Sequence, residues 1–166
     1  YGVCALGIHS GGKLRWSASF ENGVSTDSYA AARSCAMKTL SQVGGQAAFA
    51  FVLADGAKAD GSGIVAGVNS VLRIPYFGGL TGDDRKFTRS RVLLNGRELE
   101  DVVAILMASG ELAHSINAAG GWTPIGTSGN VEECEGNSIR RIGGMSAQAF
   151  MKEQLGKPLG ETDLGI

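Results

Sequence analysis

Two histidines limit the proton-transfer chemistry that this chain can support. His9 and His114 are the only histidines among the 166 residues, so a serine hydrolase would need one of them as its base. Ser128 lies in a Gly-Thr-Ser-Gly segment that comes close to a nucleophile elbow but lacks the final glycine at the required offset. Neither histidine lies in a recognisable catalytic motif. A hydrolase that uses Ser128 or Ser10 is therefore a lesser alternative, and we assign no catalytic residue.

The segment from Gly7 to Lys13, Gly-Ile-His-Ser-Gly-Gly-Lys, nearly matches a phosphate-binding P-loop. A P-loop continues with Ser or Thr and opens a helix, whereas Leu14 follows here and the next residues alternate like a strand. The pattern therefore predicts an ordinary glycine turn. No histidine or carboxylate cluster has metal-ligand spacing, so no metal site is predicted. A single histidine can still be a haem axial ligand, which keeps a haem-dependent gas sensor using His9 or His114 as an alternative.

Two glycine-rich loops are the main candidates for ligand binding. Residues 78–84 follow a predicted strand, and their three glycines leave backbone N–H groups able to face a ligand. Residues 120–126 combine flexible backbone with the aromatic ring of Trp122. A small-molecule site typically joins an apolar wall to a few oriented polar groups, which the backbone amides, Thr81, Asp83 and Trp122 could supply. The other interpretation, that these glycines only permit tight turns, stays open.

The bulk composition excludes several function classes. Fifteen basic and 16 acidic residues give a net charge of −1, which argues against an electrostatic grip on nucleic acid or an anionic membrane. No apolar run approaches the roughly 18–20 residues of a membrane helix, and no signal peptide is recognisable. The cysteines, Cys4, Cys35 and Cys134, are widely spaced, as expected for reduced thiols. We expect a cytoplasmic protein.

The first half of the chain predicts alternating strands and helices. Residues 3–8 and 13–21 suggest a hairpin, and a helix capped at Asp27 or Ser28 should run to Val43. Residues 47–54 form a continuous apolar run that is typical of a central strand covered on both faces. Asp60 then caps a second helix, which ends before Pro75 and a strand at Tyr76-Phe77.

Hairpin patterns dominate the second half. Residues 88–94 and 102–107 look like strands on either side of an Asn95-Gly96 turn. A further strand is predicted at 113–118, a hairpin at 131–134 and 137–142, and a last helix from Ser146 to Gly156. Together these elements predict an α+β fold with mixed or antiparallel sheet layers and helices packed on the outside.

Taken in order, the loops and their flanks resemble the N-terminal half of the FIST family of sensory domains. The resemblance rests first on Ala54-Asp55, Gly78-Gly79-Leu80-Thr81-Gly82-Asp83, Phe87-Thr88, Asn95-Gly96 and Asp101-Val102-Val103-Ala104-Ile105-Leu106. Its second signature is Gly121-Trp122-Thr123-Pro124-Ile125-Gly126, which leads to Glu135-Gly136-Asn137-Ser138-Ile139 and Ser146-Ala147. It departs from the family pattern at Ala119-Gly120 and at Asn130-Val131-Glu132-Glu133, and the C-terminal half of the family is absent from this sequence.

The resemblance implies an intracellular sensor of small ligands, with amino acids or similar metabolites as the proposed class and no catalytic residue set. Its output partners would be kinase, chemotaxis, cyclic-dinucleotide or ubiquitin-ligase modules. The predicted ligand contacts are Gly78, Gly79, Thr81, Asp83, Gly121 and Trp122. The predicted domain covers residues 1–156, with 157–166 as a tail or the start of a connection.

Overall fold

The computed structural model describes residues 9–83, 86, 88–118, 123–136 and 138–156. The chain divides into two compact units, residues 1–116 and residues 117–166. The strand expected at 3–8 and the tail expected at 157–166 lie outside the described residues.

A four-stranded mixed sheet is the framework of the first unit. Its strands are β1 (Arg15–Asn22), β2 (Ala47–Ala54), β3 (Tyr76–Leu80) and β6 (Val102–Ser109), in the order β1-β6-β2-β3. Strand β6 is antiparallel to β1 and β2, whereas β2 and β3 are parallel. The predicted α+β class and the central position of β2 are confirmed.

Helices α1 (Ser28–Val43) and α2 (Gly61–Val71) begin where the sequence predicts. The Asp27 side chain accepts a hydrogen bond from the Ala30 N–H, and the Asp60 side chain accepts from the N–H groups of Ser62 and Gly63. These bonds satisfy backbone donors that the first helical turn leaves without partners.

The main core lies between these helices and one face of the sheet. The strands contribute Ala50 and Val52 from β2 and Ile105 and Met107 from β6, all at most 5% exposed. The second face of β2 is less covered than predicted, because Phe49, Phe51 and Leu53 are only half-buried. Alternate side chains of a strand point to opposite faces, so these three lie on the face away from the helices.

A short hairpin covers part of that second face. Strands β4 (Val92–Leu94) and β5 (Arg97–Leu99) pair across Asn95-Gly96, whose φ angles are 51° and 74°. The predicted strand at 88–94 is therefore shorter than expected, and the turn leads into β5 rather than directly to 102–107. Buried Val92 and Leu99 pack with Val102 and Ala104 of β6. The strand predicted at 113–118 does not form.

The second unit holds strands β7 (Val131–Glu135), β8 (Ser138–Ile142) and β9 (Met145–Ser146) and helix α3 (Ala147–Leu155). The predicted hairpin and last helix are confirmed; β9 was not predicted. The Ser146 hydroxyl accepts from the Ala149 N–H, and Gly156 ends α3 in the left-handed conformation. A side chain at Gly129 would overlap Ile142 and Phe150, so these segments approach closely.

Candidate functional site

Gly78 and Gly79 lie within strand β3 rather than in a loop. Gly78 has φ +158°, and a Cβ there would lie 1.8 Å from the Val52 carbonyl oxygen, so the close approach to β2 requires glycine. A Cβ on Gly79 or Gly82 would meet nothing within 4 Å, and both residues are exposed. We call residues 78–83 the glycine segment; it presents open backbone at the carboxyl ends of β2 and β3.

The Thr81 side chain is directed into the protein. Its hydroxyl lies 3.2 Å from the Ala54 carbonyl oxygen and 3.0 Å from the Ser90 hydroxyl, and it accepts from the Gly56 N–H at 3.4 Å. A Cβ on Gly56 would lie 2.1 Å from the Thr81 carbonyl oxygen, so the ends of β2 and β3 are in close contact. Thr81 therefore holds the glycine segment against β2.

Asp83 closes the far end of the same segment. One carboxylate oxygen accepts from the Thr88 N–H at 2.6 Å, the Arg89 N–H at 2.9 Å and the Thr88 hydroxyl at 3.3 Å. The two amides lie five and six residues further along the chain, so these bonds join Asp83 to Thr88 and Arg89. This geometry fits a role in holding the end of the glycine segment against Thr88 and Arg89.

Sequence reasoning used Asp55 only as the end of a strand and missed its role. Its carboxylate is fully buried and accepts from the Ser90 hydroxyl at 2.5 Å, the Asp101 N–H at 2.8 Å and the Ala57 N–H at 3.0 Å. The Ser90 hydroxyl also accepts from the Ala57 N–H. The available signal was the position of Asp55 directly after an apolar strand, where a carboxylate can be buried and then requires several hydrogen-bond donors.

The second loop signature lies in the other unit. Gly121 and Trp122 are outside the described residues. Beyond them Ile125 is exposed, and the Thr127 N–H donates to the Gln154 side chain at 2.6 Å. A Cβ on Gly126 would overlap that Gln154 side chain, so this position too is closely packed.

A cleft of about 600 Å³ lies at the opposite end of the first unit's sheet. Strand β2 has eight residues, so at about 3.3 Å per residue its two ends are roughly 23 Å apart. The charged or titratable side chains that line the cleft are Lys13, Arg15, Glu111 and His114. It is open, its lining is about equally polar and apolar, and it does not include the glycine segment.

An aromatic row runs across the outer face of the sheet beside this cleft. The centroid of the Phe49 ring lies 6.0 Å from the ring centroid of Trp16, 6.1 Å from that of Phe77 and 5.8 Å from that of the His114 imidazole. The ring centroids of Phe77 and Phe51 are 4.9 Å apart. His114 is thus the histidine that lies beside an apolar surface, with Nδ1 3.4 Å from the Leu112 carbonyl oxygen.

Ser10 and Cys35 are side chains of types that can act as nucleophiles. The Ser10 hydroxyl contacts the Leu14 carbonyl and accepts from the Trp16 indole, at 3.3 Å each. Burial raises the pKa of the Cys35 thiol to about 11, so this thiol is not nucleophilic near neutrality. Among the described residues, no three His, Cys, Asp or Glu side chains are grouped to hold a metal ion. No helix in that part of the chain combines the length and apolarity needed to cross a bilayer.

The fold defines an α+β module, and comparison with known families identifies it further. The family model described as "FIST N domain" matches residues 1–145, and the chain therefore belongs to the FIST family. This is a family of sensory, ligand-binding domains that are not typically enzymes. Searches of curated proteins and of solved structures give no match.

Proposed function

We propose that this chain is a cytoplasmic sensory module that binds an amino acid or a similarly small polar metabolite at the glycine segment. The observation that carries the proposal is the exposed backbone of Gly79 and Gly82, which sits at the carboxyl ends of the parallel pair β2 and β3. Ligands of open sheets commonly bind outside the carboxyl ends of the strands.

In this proposal the residues of the segment have different roles. Gly79 and Gly82 offer backbone to the ligand because no side chain fills the space beside them. Gly78, Thr81 and Asp83 hold that backbone in shape through the contacts described above. Gly121 and Trp122 of the second signature stay predicted ligand contacts that lie outside the described residues. The output partner would be one of the signalling modules that accompany such domains, of kinase, chemotaxis, cyclic-dinucleotide or ubiquitin-ligase type.

A thermal-shift screen of the whole chain against amino acids and small organic acids tests the proposal. A ligand that binds only the folded state at a hundred times its dissociation constant raises the free energy of unfolding by about 2.7 kcal/mol. The critical variant is Gly79→Val, because the site for its side chain is open and the strand accepts a β-branched residue. We expect Gly79→Val to fold and to lose the ligand-induced shift.

The matched control is Ser138→Val, which makes a similar change at an exposed strand position in the other unit. It should keep the full shift. An unchanged shift in Gly79→Val would remove the glycine segment from consideration. The absence of a shift with every compound in the wild-type chain would contradict binding of this ligand class.

A second candidate, haem, is favoured by the surroundings of His114. The His114 ring contacts Phe49, and Lys13 and Arg15 line the same cleft, where they could pair with haem carboxylates. Haem would be held by His114 as its axial ligand. A Soret band that appears when haem is added and is lost in His114→Ala, but kept in His9→Ala, would support this candidate. No Soret shift in the wild-type chain would reject it.

A further inference from the structure

A buried polar network joins the glycine segment to the start of helix α1. It consists of Thr81, Ser90, Asp55 and Asp101, and we call it the Asp55 network. Asp55 is fully buried and Ser90 is 3% exposed. None of the described residues forms an ion pair with Asp55, and within that part of the chain directed hydrogen bonds satisfy its carboxylate.

The carboxylate of Asp55 fixes the direction of the hydrogen bonds in this network. An ionised carboxylate can only accept, so the single Ser90 proton must go to Asp55, 2.5 Å away. The Ser90 oxygen is then available only as an acceptor toward Thr81, whose hydroxyl lies 3.0 Å away. The Thr81 proton faces two acceptors, this oxygen and the Ala54 carbonyl oxygen 3.2 Å away, so Ala54 and, through Ser90, Asp55 together orient the Thr81 hydroxyl inward.

The other carboxylate oxygen of Asp55 holds Asp101. The Asp101 N–H donates to it at 2.8 Å. Asp101 has φ +56°, a left-handed conformation that is uncommon outside glycine and persists where the surroundings hold it. Asp55 supplies one of the contacts that hold Asp101 in this conformation.

Asp101 in turn contacts the segment that leads into α1. Its carbonyl oxygen accepts from the Gly23 N–H at 2.8 Å, and its side chain accepts from the Ser25 N–H at 2.8 Å. Two residues later Asp27 caps α1. A continuous path of hydrogen bonds thus runs from the glycine segment to the N-terminus of this helix.

We propose that Asp55 is the positioning residue of the glycine segment and the link by which a change in that segment reaches the start of α1. The signalling role of this link rests on the proposed function, because it requires a ligand at the glycine segment. The coupling itself requires no ligand. It predicts that loosening Thr81 will also loosen Ser90, Asp101 and the 23–25 segment.

Amide hydrogen exchange of the full-length chain, without ligand, tests the coupling in Thr81→Val. Valine has nearly the shape of threonine but cannot donate to Ser90. We expect exchange to rise about tenfold or more at residues 101 and 23–25, whose N–H groups bond to Asp55 or Asp101, while the Ile105 amide in the central strand β6 changes far less. Thr81→Ser, which keeps the hydroxyl, should restore slow exchange at those positions.

Thr88→Val is the matched control, since Thr88 is exposed and bonds to Asp83 rather than to the Asp55 network. It should leave residues 101 and 23–25 unchanged. A rise in Thr81→Val that is confined to residues 78–83, or one that is uniform and includes Ile105, would overturn the proposal. Because no ligand is present, this result is independent of whether the thermal-shift screen succeeds.

Asp55→Asn provides a second measurement if it folds. An asparagine side chain would place an N–H₂ group against either the Ala57 N–H or the Asp101 N–H, both of which can only donate, so one side of the network must open. Faster exchange at residues 81 and 101 together, relative to Ile105, supports the role of Asp55. Unchanged exchange at both would refute it.

Discussion

The contact between helices α1 and α2 depends on Gly67, and adding one methyl group there should destabilise the first unit. A Cβ on Gly67 would lie 2.4 Å from the Tyr29 carbonyl oxygen and 2.9 Å from the Ala32 Cβ. An ordinary contact begins at 3.4 Å, so the helices would have to separate by about 1 Å. The nearest atom belongs to the backbone of α1, so no side-chain rotation can relieve the overlap.

The expected size of the effect follows from two opposing contributions. Overpacking a well-packed core costs about 1–3 kcal/mol, and a rigid backbone neighbour favours the upper half of that range. Alanine in a helix interior gains about 1 kcal/mol over glycine. We therefore expect Gly67→Ala to lower the free energy of unfolding by about 1–2 kcal/mol, which corresponds to a fall in Tm of about 2–4 °C per kcal/mol.

Urea denaturation followed by circular dichroism measures this difference directly. The same helix supplies two comparisons, because a Cβ would meet its nearest atom at 3.5 Å on Gly61 and at 3.1 Å on Gly63. Gly61→Ala should be neutral or slightly stabilising, and Gly63→Ala should fall between it and Gly67→Ala. If Gly67→Ala were as stable as wild type, the close approach of the helices would be refuted.

Two further predictions concern a thiol and the helix caps. At pH 8 a Cys35 thiol with a pKa of about 11 is ionised in about one molecule per thousand. Because the thiolate is the form that is alkylated, peptide mapping after alkylation of the folded protein should find exposed Cys134 modified. Cys35 should be modified only after unfolding. Burial raises the Cys35 pKa from 9.0, so the contribution of the neutral thiol to stability is fully present below pH 9 and falls by about 2–3 kcal/mol as the pH rises toward 11. Urea titrations at several pH values should show this decline in the wild-type protein but not in Cys35→Ala. Parallel pH profiles of the two proteins would count against it. Asp27→Ala and Asp60→Ala should each lower the free energy of unfolding by about 1 kcal/mol, with the larger loss for Asp60, which accepts from two backbone N–H groups. The corresponding asparagine variants should retain most of the stability. An asparagine variant that loses as much stability as the alanine variant at the same position would rule out capping as the reason.

The boundaries of the helices could be predicted because the signals that set them are local. Asp27 and Asp60 bond to backbone groups two or three residues away, so the capping pattern is visible in the sequence itself. The glycine that follows each of α1 and α3 ends its helix for an equally local reason. The buried face of α1 was less certain: Leu40 fits the apolar period but is 39% exposed, whereas Thr39 is fully buried.

Strand pairing and side-chain surroundings were decided by contacts between distant segments. The Asn95-Gly96 turn correctly predicted a reversal, but the sequence did not show that β5 intervenes before β6 or that β6 lies between β1 and β2. The glycine segment was recognised from its composition. Its composition did not reveal that Gly78 fits closely against β2 while Gly79 remains open.

The Asp55 network shows most clearly what the sequence could not determine. Its bonds join Asp55 to Ser90 and Asp101, which are 35 and 46 residues away along the chain. The sequence by itself determined the family, the helix limits and the glycine-rich character of the candidate site. Only the tertiary structure decided which carboxylate is buried and which polar groups face it, because those partners come together only when β2 and β3 end at the edge of the sheet where β6 begins.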